Sequence, residues 1–187
     1  IYGAPASRTF RSLWAAEETG LPYENLPLSY LGPEIKAPAY LAINPNGTIP
    51  ALSDDGFNLF ESLAINLYLA RKAERLWPRT VADEGRLYQW TLWAATEVDP
   101  VIGQWAYNAF FLPPEQRKPE LAAEAAAKLR TRLSVVDGAL AQRGTAGVLA
   151  GTRSHDQNRM RAFTPITRPS CGMRACRCSS ETGSAYP

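Results

Sequence analysis

The stretch NPNGTIPALSDDGFNLFES, residues 44–62, constrains the fold more tightly than any other part of the chain. Two short runs, IPALS and FNLF, read as strands joined by Asp54, Asp55 and Gly56, residues that tolerate the positive φ a tight hairpin needs. Pro50 heads the first run, where it removes a backbone donor and pushes the strand toward an edge or a terminus. Glu61 and Ser62 follow the second run and open an apolar-periodic segment, SLAINLYLARKA, with Ile65, Leu67, Tyr68 and Leu69 on its apolar side. A hairpin led by proline and closed by a helix must pack on something that precedes it.

What precedes it supplies the rest of a sheet. IYGAP reads as a strand ending at Pro5. SRTFRSLWAAEETG reads as a helix with Ser7 as N-cap, Leu13, Trp14 and Ala16 as apolar positions, and Gly20 as the stop. YENLPLS is a second strand, and Pro27 within it marks an edge. The order β-α-β, loop, β-β-α predicts a thioredoxin-like α/β domain over residues 1–75, a mixed sheet with helices on both sides.

LWPRT begins a linker spanning 76–82, and beyond it the pattern becomes all-helical. ADEGRLYQWTLWAATEVDPVIGQWAYNAFF predicts one long helix bent near Pro100. PPEQRKPELAAEAAAKLRTRLSVVDGALAQRG predicts a second helix that buries Leu121, Leu129, Leu133, Val136 and Leu140. The short LPPEQ connection makes the two antiparallel neighbours. The helical domain therefore runs over 83–151.

Charge and cysteine usage separate the last part of the chain from the rest. Of 20 basic and 18 acidic residues, six basic and two acidic ones lie beyond Gly151, leaving 14 and 16 before it. That mildly acidic body carries no nucleic-acid footprint. Cys171, Cys176 and Cys178 and the single His155 all fall in 152–187, with no CxxC and no common zinc spacing. Histidine catalysis is thereby excluded from the body. No apolar run reaches the roughly 20 residues of a membrane span, and the cytoplasm is the expected compartment.

Four motifs in order, SRTFR, LPYE, NPNGTIPAL and FESLAINLYLARK, followed by a helical domain, resemble the cytosolic glutathione S-transferase family over residues 1 to about 151. The resemblance implies a serine-type, bacterial-like member that conjugates the glutathione thiolate to a small hydrophobic electrophile in detoxification, working as a homodimer. Glutathione is then a co-substrate, and no metal or redox cofactor is required. The family's proline before the third strand is cis, so the Ile49–Pro50 bond is expected to be cis. The Ile49 N–H and C=O would then face the cysteinyl part of the tripeptide, a strand addition in miniature. Glu61 would meet the ligand's ammonium, and Ser62 with its helix N-terminus the γ-glutamyl carboxylate.

The thiol must ionise, and a free thiol at pKa ~8.5 is only a few per cent thiolate at pH 7. Ser7 is the implied donor to the sulfur, and Arg11, four positions on, matches the serine-type pattern. Tyr2 is the alternative, since other classes use a tyrosine of the first strand. Thr48 stands where relatives carry Lys, Arg or Gln for the glycyl carboxylate; it is too short, and Lys36 is the expected substitute. Trp105, Tyr107, Phe110 and Phe111 fall where the family lines its electrophile pocket, although aromatics at helical spacing also suit a core.

After Leu149, Ala150 and Gly151 the family continues with a Ser/Thr-x-x-Asp capping box. Here Arg153 takes the place of the hydroxyl, and no amphipathic helix follows. A shifted reading frame near residue 152 accounts for this change and leaves the helical domain incomplete; disorder, or a genuine basic tail for an acidic partner, is the rival reading. Two other functions remain open: a non-catalytic interaction module on the same fold, and an inactive truncated product.

Overall fold

The computed structural model describes residues 1–142. Its hairpin pairs β1 (Ala51–Asp54) with β2 (Phe57–Phe60) from Ala51–Phe60 to Asp54–Phe57. Only Asp55 and Gly56 remain in the turn, at φ 49° and 86°. Two positive φ values give the turn the twist that matches the flanking strands. Asp54 is thus a strand residue rather than a turn residue.

The two strands expected earlier in the chain contract to single bridges. Tyr2 pairs antiparallel with Ala51 and parallel with Leu26, giving the lateral order Leu26, Tyr2, β1, β2. Pro5 and Pro27 lack the donors that would lengthen the ladders. The mixed arrangement is nonetheless the thioredoxin-like one, with the helical region following it.

Adjacent strand residues face opposite sides of a sheet, and Ala51 and Leu52 divide two cores accordingly. Leu52 joins Ile1, Ala16, Ile65 and Leu69, beneath helices α1 (Thr9–Thr19) and α3 (Ser62–Lys72). Ala51 joins Ile35, Tyr40 and Ile49, with the 3₁₀ turn Pro33–Lys36 and the short helix α2 (Pro38–Leu41). Gly20, at φ 73°, closes α1 as expected, its N–H reaching the Ala16 and Glu17 carbonyls. The start of α1 differs from expectation. Arg8 holds the N-cap position, while the Ser7 hydroxyl, one residue earlier, accepts the Thr9 N–H at 3.1 Å.

The long helix runs through residues 81–111 but contains two wider turns. α4 (Val81–Trp93) passes through a π turn, Ala94–Val98, into α5 (Asp99–Ala106), which ends in a second π turn, Tyr107–Phe111. Thr80 caps α4, its hydroxyl accepting the Asp83 N–H at 3.1 Å. Pro100 has no N–H and crowds the preceding turn, and a π turn stands just before it, where the sequence led to the expectation of a bend. Arg117 closes the second π turn, donating to the Leu112 and Phe110 carbonyls at 2.7 and 2.8 Å.

PPEQRK lies outside the next helix, with Pro114–Gln116 a 3₁₀ turn and α6 running Pro119–Gln142. α6 packs along α5 and the π turns. Ala125 is its buried centre, and Leu121, Leu129, Val136 and Leu140 are half-buried. Leu133 does not join the core as expected; it is 49% exposed. It lies eight residues from Ala125, roughly 80° round the helix and off the contact line. Among the described residues no helix is long and apolar enough to cross a membrane. The readings made for residues 143–151 and for 152–187 lie outside the described residues.

Candidate functional site

Gly3 brings the first two parts of the site together. At φ 130° it sits where a Cβ would lie 2.1 Å from the Thr9 hydroxyl and 3.0 Å from the Ile49 Cβ. Only a residue without a side chain lets the turn before α1 approach Ile49 this closely. Ser7 lies in that turn. Its hydroxyl donates to the Ala4 carbonyl at 2.7 Å and accepts from the Thr9 N–H. Tyr2, the alternative to Ser7, is in the sheet, with its ring edge-on to Tyr40 at 5.9 Å beside the second core.

The Ile49–Pro50 bond is cis. Ile49 buries its side chain, while its N–H and C=O have no main-chain partner among the described residues. Unpaired groups of this kind beside a strand are a template for an extended peptide. The segment before them is held firmly. The Thr48 carbonyl accepts from the Tyr40 hydroxyl at 2.6 Å and the Asn44 amide at 2.7 Å. Burial pushes the Tyr40 phenol up, so it remains a donor. Asn44 is wholly buried, and its side-chain oxygen also accepts the Asn46 N–H at 3.1 Å. Lys36 donates to the Gly47 carbonyl at 2.8 Å and braces the same loop.

Glu61 and Ser62 form the third part. Glu61 occupies φ 72°, ψ 114°, a conformation costing a non-glycine residue about 1–3 kcal/mol and concentrated at functional sites. Its carboxylate has no hydrogen bond or ion pair among the described residues. Ser62 is buried at the first position of α3, where backbone N–H groups lack helical partners. In its hydrogen-bonding orientation the Asn66 amide joins α3 to α1, donating to the Ser62 carbonyl at 2.9 Å and the Arg11 carbonyl at 3.3 Å.

The helical half closes the site. Arg11 grips Asp99 with bonds of 2.8 and 2.6 Å, and this contact raises the Arg11 pKa above its ordinary value. The Arg8 Nε lies 3.9 Å from the same carboxylate. A cavity of about 460 Å³ opens here, and Arg8, Arg11, Glu61, Ser62, Leu92 and Asp99 are among its walls. Trp105, Tyr107, Phe110 and Phe111 are not. They form two edge-on pairs, Trp105 with Phe110 and Tyr107 with Phe111, at the second π turn. Among the described residues no group of three or more His, Cys, Asp or Glu side chains is placed to hold a metal ion.

Sequence reasoning missed Gly3, Asn44, Arg8 and Asp99. A glycine between a strand and a helix, and an Asn-Pro-Asn-Gly loop, were visible signals for the first two. Nothing local marked Asp99.

The family described as "Glutathione S-transferase, N-terminal domain" matches residues 1–71. Glutathione S-transferase F9 of Arabidopsis thaliana is 36% identical over 106 residues, 54% of this chain and 49% of the relative. Elongation factor 1-gamma 2 of Oryza sativa subsp. japonica is also 36% identical, over 67% of this chain and 31% of its own. The chain thus spans half or less of the length of these curated relatives. The solved theta class glutathione S-transferase of Xanthomonas axonopodis pv. citri, with glutathione bound, superposes with a TM-score of 0.70 at 32% identity, covering 75% of this chain and 69% of that one.

Proposed function

The chain belongs to the glutathione S-transferase superfamily, and we propose that it is a glutathione transferase joining the tripeptide's sulfur to a small hydrophobic electrophile. The observation that supports this most is the convergence, around Gly3, of the Ser7 turn and the unpaired Ile49 backbone. Beside them stand Glu61, without a partner among the described residues, and the buried Ser62.

In this reading the tripeptide's main chain pairs with Ile49, its ammonium faces Glu61, and its γ-glutamyl carboxylate meets Ser62 and the start of α3. Its thiol then lies at the Ser7 turn. The thiol proton leaves to solvent, and the Ser7 hydroxyl turns from the neutral Ala4 carbonyl to the anionic sulfur, a stronger acceptor. The positive end of α1 adds to this stabilisation. The sulfur lone pair forms the new S–C bond. In a substitution the leaving group departs with its bonding electrons; in an addition the neighbouring carbon takes up a proton. Ser7 donates a hydrogen bond throughout and is not itself alkylated.

Lys36 and Arg11 support this site indirectly, through the Gly47 carbonyl and through Asp99. The proposed wall for the electrophile is formed by the aromatic pairs at the second π turn, which stand outside the cavity lined by Arg8, Glu61 and Leu92. The working form in this reading is a cytoplasmic homodimer engaged in detoxification.

A second reading, a non-catalytic interaction module, draws support from the similarity to an elongation factor 1-gamma. Retention on immobilised glutathione combined with conjugation of a generic aromatic electrophile separates the two. A transferase does both. Retention without conjugation favours the module, and failure of both overturns the proposal.

A further inference from the structure

We propose that Arg8 is a further binding residue of this site, receiving the α-carboxylate of the ligand's γ-glutamyl residue; the inference rests on the glutathione reading above. Two arginines line the cavity, but only one is committed. Asp99 is gripped by both arms of Arg11, at 2.8 and 2.6 Å. The Arg8 Nε, at 3.9 Å from Asp99, is attracted without a hydrogen bond. Its side chain is 62% exposed, whereas that of Asp99 is 16% exposed. A pair at this separation, with no hydrogen bond and its cation mostly in solvent, holds Arg8 only weakly, so its guanidinium is available to an incoming anion.

The other walls identify that anion. Arg8 shares the cavity with Glu61, whose carboxylate has no partner among the described residues, and with Ser62 at the start of α3. A cation held only by a long ion pair and, among the described residues, an anion without a partner face the same space, which suits a group carrying both charges. An α-amino acid head is such a group: its ammonium pairs with Glu61 and its carboxylate reaches Arg8 and the α3 amides. The fork geometry of a guanidinium matches a carboxylate. The Arg11–Asp99 clamp has a definite part here, because it occupies the acceptor that would otherwise hold Arg8.

The test measures dissociation constants by titration calorimetry on the full chain and its Arg8→Gln variant. The ligands are glutathione, an analogue lacking only the α-carboxylate of its γ-glutamyl residue, and an analogue amidated at the glycyl carboxylate. Loss of one charge-assisted contact should weaken glutathione binding about tenfold in the variant. The glycyl amide should show the same loss, and the analogue without the α-carboxylate none. Arg8→Lys should recover part of the affinity. An equal loss for all three ligands would mean a merely structural role and overturn the proposal. A loss that disappears with the glycyl amide instead would assign Arg8 to the other carboxylate and overturn it too, as would an unaffected variant. If the unmodified chain binds none of the three, the glutathione reading itself falls and this inference with it.

Discussion

Arg11 on α1 and Asp99 on α5 are joined by two bonds, 2.8 and 2.6 Å long, across 88 residues of sequence. They tie the sheet-bearing half of the chain to its helical half. Asp99→Ala leaves a half-buried guanidinium without its partner and should destabilise the fold by about 1–3 kcal/mol. Urea unfolding measures this, and a midpoint equal to that of the unmodified chain would show that the clamp is not holding the two halves.

Ser7→Ala should reduce turnover sharply and largely spare glutathione binding. Without the donor, the bound thiol's pKa moves back toward ~8.5. The loss of rate should therefore be greatest near neutral pH and shrink as pH climbs to about 9. Conjugation rates across this range test the assignment; undiminished activity, or a loss that does not change with pH, would remove Ser7 from the reaction.

Gly3→Ala places a methyl group 2.1 Å from the Thr9 hydroxyl and 3.0 Å from Ile49, at a φ of 130°. A destabilisation of about 1–3 kcal/mol is expected. The α1 turn must also move from Ile49, so glutathione affinity and turnover should fall together. Calorimetry alongside rate measurements would show whether one falls alone.

Asn44→Ala removes a buried amide that supports the Thr48 carbonyl and the Asn46 N–H. Stability should drop by about 2–3 kcal/mol, as for buried polar groups left without partners. Glutathione affinity should fall with it, because Ile49 directly follows this loop. Denaturant midpoints and binding constants of the variant are the measurements.

Lys72 first, and then the Tyr68 hydroxyl, hold the Asp54 carboxyl below the ordinary carboxylate range. A carboxyl depressed in the folded state stabilises the fold above its unfolded pKa and loses that contribution as pH falls through the folded one. Asp54→Asn should therefore lower the urea midpoint most near pH 6, with the difference from the unmodified chain shrinking below about pH 4. A difference independent of pH would mean that the charge is not the cause.

Much of the candidate site's local geometry was legible because its parts are encoded by neighbours in sequence. Pro50 after Ile49, and Glu61 with Ser62 before an apolar-periodic run, each announce a local backbone event. The N-cap of α1 was misplaced by one residue because Ser7 supports the turn without occupying the cap. Leu133 was misplaced because the helical period alone does not reveal how narrow the α6 contact is. Nothing in the sequence indicated that a π turn precedes Pro100.

Asp55-Gly56 determined the hairpin, apolar spacing determined α3 and α6, and prolines limited the outer strands. These are short-range effects, set by allowed φ values, missing donors and side-chain period. The tertiary structure alone decided that Asp99 engages Arg11, that Arg8 remains available, and that Gly3 lies against both Thr9 and Ile49. Each of these depends on how far a helix is turned and where it crosses its neighbour. Such placement arises from the packing of whole elements, and no run of adjacent residues carries it.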